Sequence, residues 1–225
     1  MAFGALLALS AMARRGAAQV SPPAPLTAAQ RRAALANPTR AFWKTPAPDT
    51  AALEVETSRG TFIVELVREW APNGVDRFYN LARAGYFDDS RFFRVVQRYV
   101  AQFGIAGNPA VAAIWTRRKI AADSVRAGNR RGTISFAQLT PRDRTTYLFI
   151  NLRDNLDLDT LGFAPVGRVV EGIEVADSLY AGYGEKPVMA APIGNPRRLY
   201  GESNRYLDKV FPNLDRIIAI RVRPR

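Results

Sequence analysis

Arg94 and Gln102 stand in the stretch FFRVVQRYVAQFG, residues 92–104, among β-branched and aromatic residues with the composition of a buried strand. Burying a guanidinium without a partner costs several kcal/mol. Arg94 is therefore either an edge residue facing water or a cation set against a pocket on purpose. Two absences narrow the chemistry open to it. The chain has no His and no Cys, so it builds no thiol nucleophile, Ser-His-Asp triad, imidazole base or usual zinc site from its own side chains. Whatever it catalyses avoids that chemistry, and neither a metal nor a cofactor is expected.

The chain around this stretch has 225 residues, 48% of them hydrophobic and 10% aromatic, enough for one globular domain with a sizeable core. Its net charge of +12 comes from 32 basic and 20 acidic residues, and only four of the basic ones are Lys. Arginine pairs at 117–118, 130–131 and 197–198 are scattered instead of forming one stripe. A solvated basic surface is the reading, with no nucleic-acid partner. The lack of Cys excludes disulfides and leaves the redox compartment open. Residues 2–13, AFGALLALSAMA, are an apolar run of export-signal length, too short to span a bilayer, and GAAQ after them suits cleavage behind Ala18. Residues 1–18 are read as a signal peptide, and the mature chain as periplasmic, not inserted in a membrane, and monomeric.

Residues 19–50, rich in Pro and Ala, read as a linker with a short helix-like piece at 28–36. The folded domain spans 51–225 and opens with two alternating segments around Ser58-Arg59-Gly60, a β-hairpin signal. Pro72, the apolar positions Val75, Phe78, Tyr79 and Ala82, and Gly85 as terminator predict an amphipathic helix. Residues 92–104 follow as a strand pair. GTISFA at 132–137, YLFINL at 147–152, APVGRVV at 164–170 and LDRIIAIRV at 214–222 read as strands, and 172–182 as a second helix. Short strands with two helices suggest a closed antiparallel barrel capped by helices. Residues 185–213 interrupt the strand pattern as a surface insertion that ends in a short helix at 204–210.

The order RGTFIVEL, APNGVDRFYNLARAGYFDDSRFFRVVQRYVAQFG, GTISFA, TTYLFINL and GFAPVGRVVEGIEVADSLY resembles the cyclophilins, a family of peptidyl-prolyl cis-trans isomerases, over residues 53 to about 184. YLDKVFPNLDRI, after an inserted segment, is similar to exported bacterial members. The resemblance implies a mostly β fold, a closed eight-stranded antiparallel barrel capped by two helices. It places the family's active-site arginine at Arg94 and its glutamine at Gln102. Tyr99 and Val100 fall where the family lines a proline pocket, Ala137 and Gln138 on a backbone-binding edge, Phe149 on the pocket floor and Leu158 near a loop leucine. Tyr147 stands where a second glutamine is common, and Phe163 where many members have His. The loop Trp is missing, and QRY and QLTPRD replace the family's usual turns.

The implied activity is rotation of X-Pro bonds in unfolded or extended polypeptide, assisting folding. No bond is made or broken, so an arginine that stays charged and an amide that can hold it or a substrate carbonyl in place suffice. Tyr147 is read as a phenol that can stack beside Arg94. A non-catalytic module or holdase that keeps Pro-containing segments in the same groove is the alternative, and the Arg94 with Gln102 pair favours the enzyme.

Overall fold

The computed structural model describes residues 24–140, 142–189 and 194–224. The signal-peptide reading of residues 1–18 lies outside the described residues. The domain is an eight-stranded antiparallel sheet in the order β3-β4-β6-β5-β7-β2-β1-β8. Its strands are β1 Thr50–Thr57, β2 Gly60–Val67, β3 Arg94–Val96, β4 Val100–Phe103, β5 Thr133–Phe136, β6 Leu148–Asn151, β7 Pro165–Glu171 and β8 Ile217–Val222. In β1, Ala51, Leu53, Val55 and Thr57 are buried in strict alternation, which fixes the pairing from Thr57↔Gly60 to Thr50↔Val67.

Helix α2, Pro72–Arg83, packs Val75, Phe78, Tyr79 and Leu81 into the core enclosed by this sheet. Its preceding residue, Ala71, supplies no side-chain cap. The Asp123 carboxylate caps it from elsewhere in the chain, accepting from the backbone N–H groups of Asn73 (3.0 Å) and Gly74 (2.9 Å). That carboxylate also pairs with Arg144 at 3.1 Å, and the two side chains are 2% and 1% exposed.

Two expectations are corrected. The sheet is curled but open, a half-barrel, because β3 and β8 form its two ends. With only three residues in β3, the gap is spanned by the isolated bridge Arg91↔Arg216 and no ladder forms. The described residues hold seven α-helical segments, α1 Ala28–Ala36, α2, α3 Pro109–Trp115, α4 Asp157–Thr160, α5 Ile173–Asp177, α6 Pro196–Glu202 and α7 Asn204–Val210; α2 and α5 fall on the two expected capping helices and α1 and α7 on the short pieces read at 28–36 and 204–210, while α3, α4 and α6 were not expected. Both α3 and α6 start at an Asn-Pro pair whose Asn side chain caps the first turn, and each is too short to show an apolar period. The described part of the 19–50 stretch is held against the domain, since the Trp115 indole donates to the Leu35 carbonyl and stacks 4.2 Å from the Trp43 ring. The 185–213 insertion carries α6 and α7 and buries Leu199, Tyr206, Leu207 and Phe211 in the core.

Candidate functional site

The strand register explains why an apolar strand carries an arginine. Arg94 pairs with Gln102, and Gln102 with Phe149. Register partners share a face of the sheet, so these three side chains form one row. The alternate residues Val95, Ala101 and Ile150 point the other way, into the core, and are 3%, 0% and 0% exposed. Both sequence alternatives for Arg94 are therefore present together: it lies on an edge strand, and its face of that strand looks into a groove.

The groove floor is an apolar cluster separate from the main core. Val100, Phe149 and Leu158 are buried in it, with Tyr99, Ala137 and Phe163 packed against them. The rings of Phe149 and Phe163 meet edge to face at 5.7 Å. Leu158 comes from α4, and Phe163 from the turn after it. A buried amide network ties that turn to the sheet. Asn129 donates from its side chain to Asp159 (2.7 Å) and to the Phe163 carbonyl (2.7 Å), and accepts from the Ser135 hydroxyl (2.7 Å) and Asn151 (3.2 Å). Asn155 donates to the Tyr99 carbonyl at 3.1 Å and to Asn151 at 2.8 Å. With these groups satisfied, two loops that have little regular structure are held in register. Sequence reading missed all three asparagines, because Asn129 in RAGNRRG and Asn155 in RDNLD look like ordinary turn chemistry and Asn151 ends the apolar strand YLFINL.

The groove has a volume of ≈ 630 Å³, and all ten residues singled out in the sequence line it: Arg94, Tyr99, Val100, Gln102, Ala137, Gln138, Tyr147, Phe149, Leu158 and Phe163. Gln138 donates to the carbonyls of Leu161 (3.3 Å) and Gly162 (3.2 Å), closing one side. Thr116, Leu139, Asp143, Val188 and Tyr200 complete the lining and were not foreseen. Val188 and Tyr200 belong to the insertion, whose path carries no periodic signal pointing back to residue 94.

The Arg94 side chain is 20% exposed. One end of its guanidinium donates to Gln102 Oε1 at 3.5 Å, the other to Glu185, and its Cζ lies 5.7 Å from the Tyr99 ring centroid. The expected stacking of Tyr147 beside Arg94 is not found. The insertion supplies Tyr200 as a nearer partner, with ring centroids 5.4 Å apart, and Phe93 meets Tyr147 from the other side at 6.3 Å. Burial raises both phenols above the ordinary tyrosine range, and in Tyr147 the neighbouring Tyr86 and Tyr200 add to it. The Asp143 carboxyl is held below its usual range, chiefly by the hydrogen bond from Lys119. Among the described residues no group of three or more acidic side chains converges on a metal site. The arrangement offers one cation, one amide and an apolar seat, which suits recognition of an apolar ring next to an amide.

Comparison with known proteins gives the family and the fold. The family model described as cyclophilin type peptidyl-prolyl cis-trans isomerase/CLD matches residues 52–195. Peptidyl-prolyl cis-trans isomerase A of Dickeya dadantii is 34% identical over 136 residues, covering 55% of this chain and 67% of that relative. A Cryptosporidium parvum cyclophilin type peptidyl-prolyl cis-trans isomerase shares the fold at a TM-score of 0.56 and 17% identity, over 77% of this chain and 98% of its own. The same protein, crystallised in the presence of the dipeptide Ala-Pro, matches at a TM-score of 0.53 and 17% identity, over 76% of this chain and 98% of its own.

Proposed function

The chain belongs to the cyclophilin-type peptidyl-prolyl cis-trans isomerases, and from that premise we propose that its groove isomerises X-Pro bonds in extended polypeptide by arginine-assisted stabilisation of the twisted amide. Rotation about an X-Pro bond loses amide resonance against a barrier of about 18–20 kcal/mol, and the uncatalysed step takes roughly tens to hundreds of seconds. In the twisted state the prolyl nitrogen regains a lone pair. A guanidinium N–H aimed at that nitrogen binds the transition state better than either planar ground state, which is what lowers the barrier.

Each lining residue has a place in this reading. Val100, Phe149, Leu158, Phe163 and Tyr99 seat the proline ring and exclude the water that stabilises the planar amide. Arg94 faces the prolyl nitrogen, and Gln102 helps hold it. The Ala137 N–H is already bonded to the Tyr147 carbonyl at 2.9 Å, and the Gln138 backbone, past the end of β5, is the part of this edge assigned to the substrate. The presence of Ala-Pro with the related Cryptosporidium protein supports a Pro-containing ligand. Assistance to protein folding is part of the proposal.

The observation that carries the reading is the Gln102–Arg94 register pair set beside an apolar cluster that is separate from the core. A proline-limited refolding assay tests it on the full chain. Acceleration of the slow phase is expected; an unchanged slow phase with retained binding of a Pro-containing peptide would make the protein a holder.

The pH profile follows from the same groups. With no imidazole or thiol in the chain, the Asp143 carboxyl held low and the Tyr147 and Tyr200 phenols pushed high, nothing among these changes charge near neutrality. The kcat/KM for an X-Pro peptide is expected to stay flat between about pH 6 and about pH 9. A bell-shaped profile centred near pH 7 would reveal a titrating group that this reading lacks.

A further inference from the structure

Arg94 has a neighbour on each side in the strand register. On one side is Gln102. On the other, β3 is bridged in antiparallel sense by the start of the insertion through Val95↔Gly184. The bridge brings Glu185, the next residue, beside Arg94, where the two side chains form an ion pair. The sheet edge therefore presents the row Glu185, Arg94, Gln102, Phe149, with the insertion supplying its first member.

We propose that Glu185 is a positioning residue for Arg94, which makes the inserted segment part of the active site; the proposal rests on the role given to Arg94 above. The two ends of the guanidinium are tied in opposite directions, one to Gln102 and one to Glu185. The Gln102 contact, at 3.5 Å, is at the outer limit of a hydrogen bond. The Glu185 contact adds the attraction of two opposite charges to its hydrogen bond. Glu185 is accordingly the main restraint on the orientation of the guanidinium. It approaches from the side of Arg94 away from Gln102 and Phe149, so it holds the guanidinium without standing on the apolar floor. Glu185 is itself held in place. The backbone bridge at Gly184 fixes the residue before it, its own carbonyl accepts from the Val188 N–H at 3.0 Å, and Tyr183 stacks 5.1 Å from the buried Phe211.

Kinetics of Glu185→Ala and Glu185→Gln in the full chain, with an X-Pro peptide, test the inference. The Ala variant is expected to lower kcat about 10-fold and the Gln variant, which keeps an acceptor without the charge, about 3-fold, with peptide Kd within about twofold of the parent in both. In an Arg94→Ala background neither change should lower the residual rate further. A kcat equal to the parent's would show that Gln102 and Tyr99 suffice to place the guanidinium. A higher kcat would show that Glu185 occupies the arginine as a plug. Either result overturns the inference, and so does a further loss in the Arg94→Ala background. If Arg94→Ala alone retains full activity, the role of Arg94 falls and this inference with it. An inactive Arg94→Ala beside parent-like Glu185 variants sinks only the inference.

Discussion

Replacement of Arg94 by Ala is expected to lower kcat/KM for X-Pro isomerisation about 10²-fold, near 2.7 kcal/mol of transition-state stabilisation. The fold should survive. The contacts that are lost are one long hydrogen bond to Gln102, an ion pair with the half-exposed Glu185 and a cation–π approach to Tyr99. An ion pair with one partner in water contributes about 0–1 kcal/mol, so the melting temperature should move by a few degrees at most. Activity, peptide Kd and thermal melts measured together decide the matter. A variant that unfolds would make Arg94 structural, and one that turns over normally would remove the guanidinium from the mechanism.

The other large effect lies at the start of α2. Asp123→Ala removes the partner of a nearly fully buried Arg144 and the acceptor for two helix N–H groups at once. Breaking a buried pair by deleting one member leaves an uncompensated charge, and a loss of about 3–5 kcal/mol is expected. At roughly 2–4 °C per kcal/mol for a chain of this size, the melting temperature should fall by about 6–20 °C. Asp123→Asn keeps the shape and one acceptor oxygen and should recover part of that loss. A change below about 1 kcal/mol in the Ala variant would mean that Arg144 reaches solvent by moving its loop.

The legible parts of this protein are those where burial imposes a period. The alternation of β1 and β2, the Pro72 start of α2 and the short apolar strands follow from which face must leave water. Arg94 was conspicuous because a charge contradicts such a pattern, and its spacing from Gln102 fits one hairpin register. The unforeseen parts arise where partners are far apart in the chain and locally featureless. Glu185 lies 91 residues from Arg94, and nothing in EKPVMAAP marks it as a strand neighbour. Asn129 and Asn155 look like loop residues until the sheet brings them together. Whether the sheet closes depends on how many residues β3 devotes to its ladder, which its composition does not reveal.

The Val95↔Gly184 bridge bears on self-association as well. A strand at the end of an open sheet carries unpaired backbone groups and invites another extended chain to add itself alongside. For an enzyme whose proposed substrates are extended chains, such a template would sit beside Arg94, and a captured client could grow into an aggregate. The bridge occupies that position on β3. At the opposite end, β8 carries Arg221, which is paired with Asp88 at 2.7 Å, and Arg223 follows the strand; charged side chains along an edge discourage further pairing. The two ends of the half-barrel are thus blunted by different means, a backbone bridge and a charged margin, and an extended chain is less readily recruited as a ninth strand.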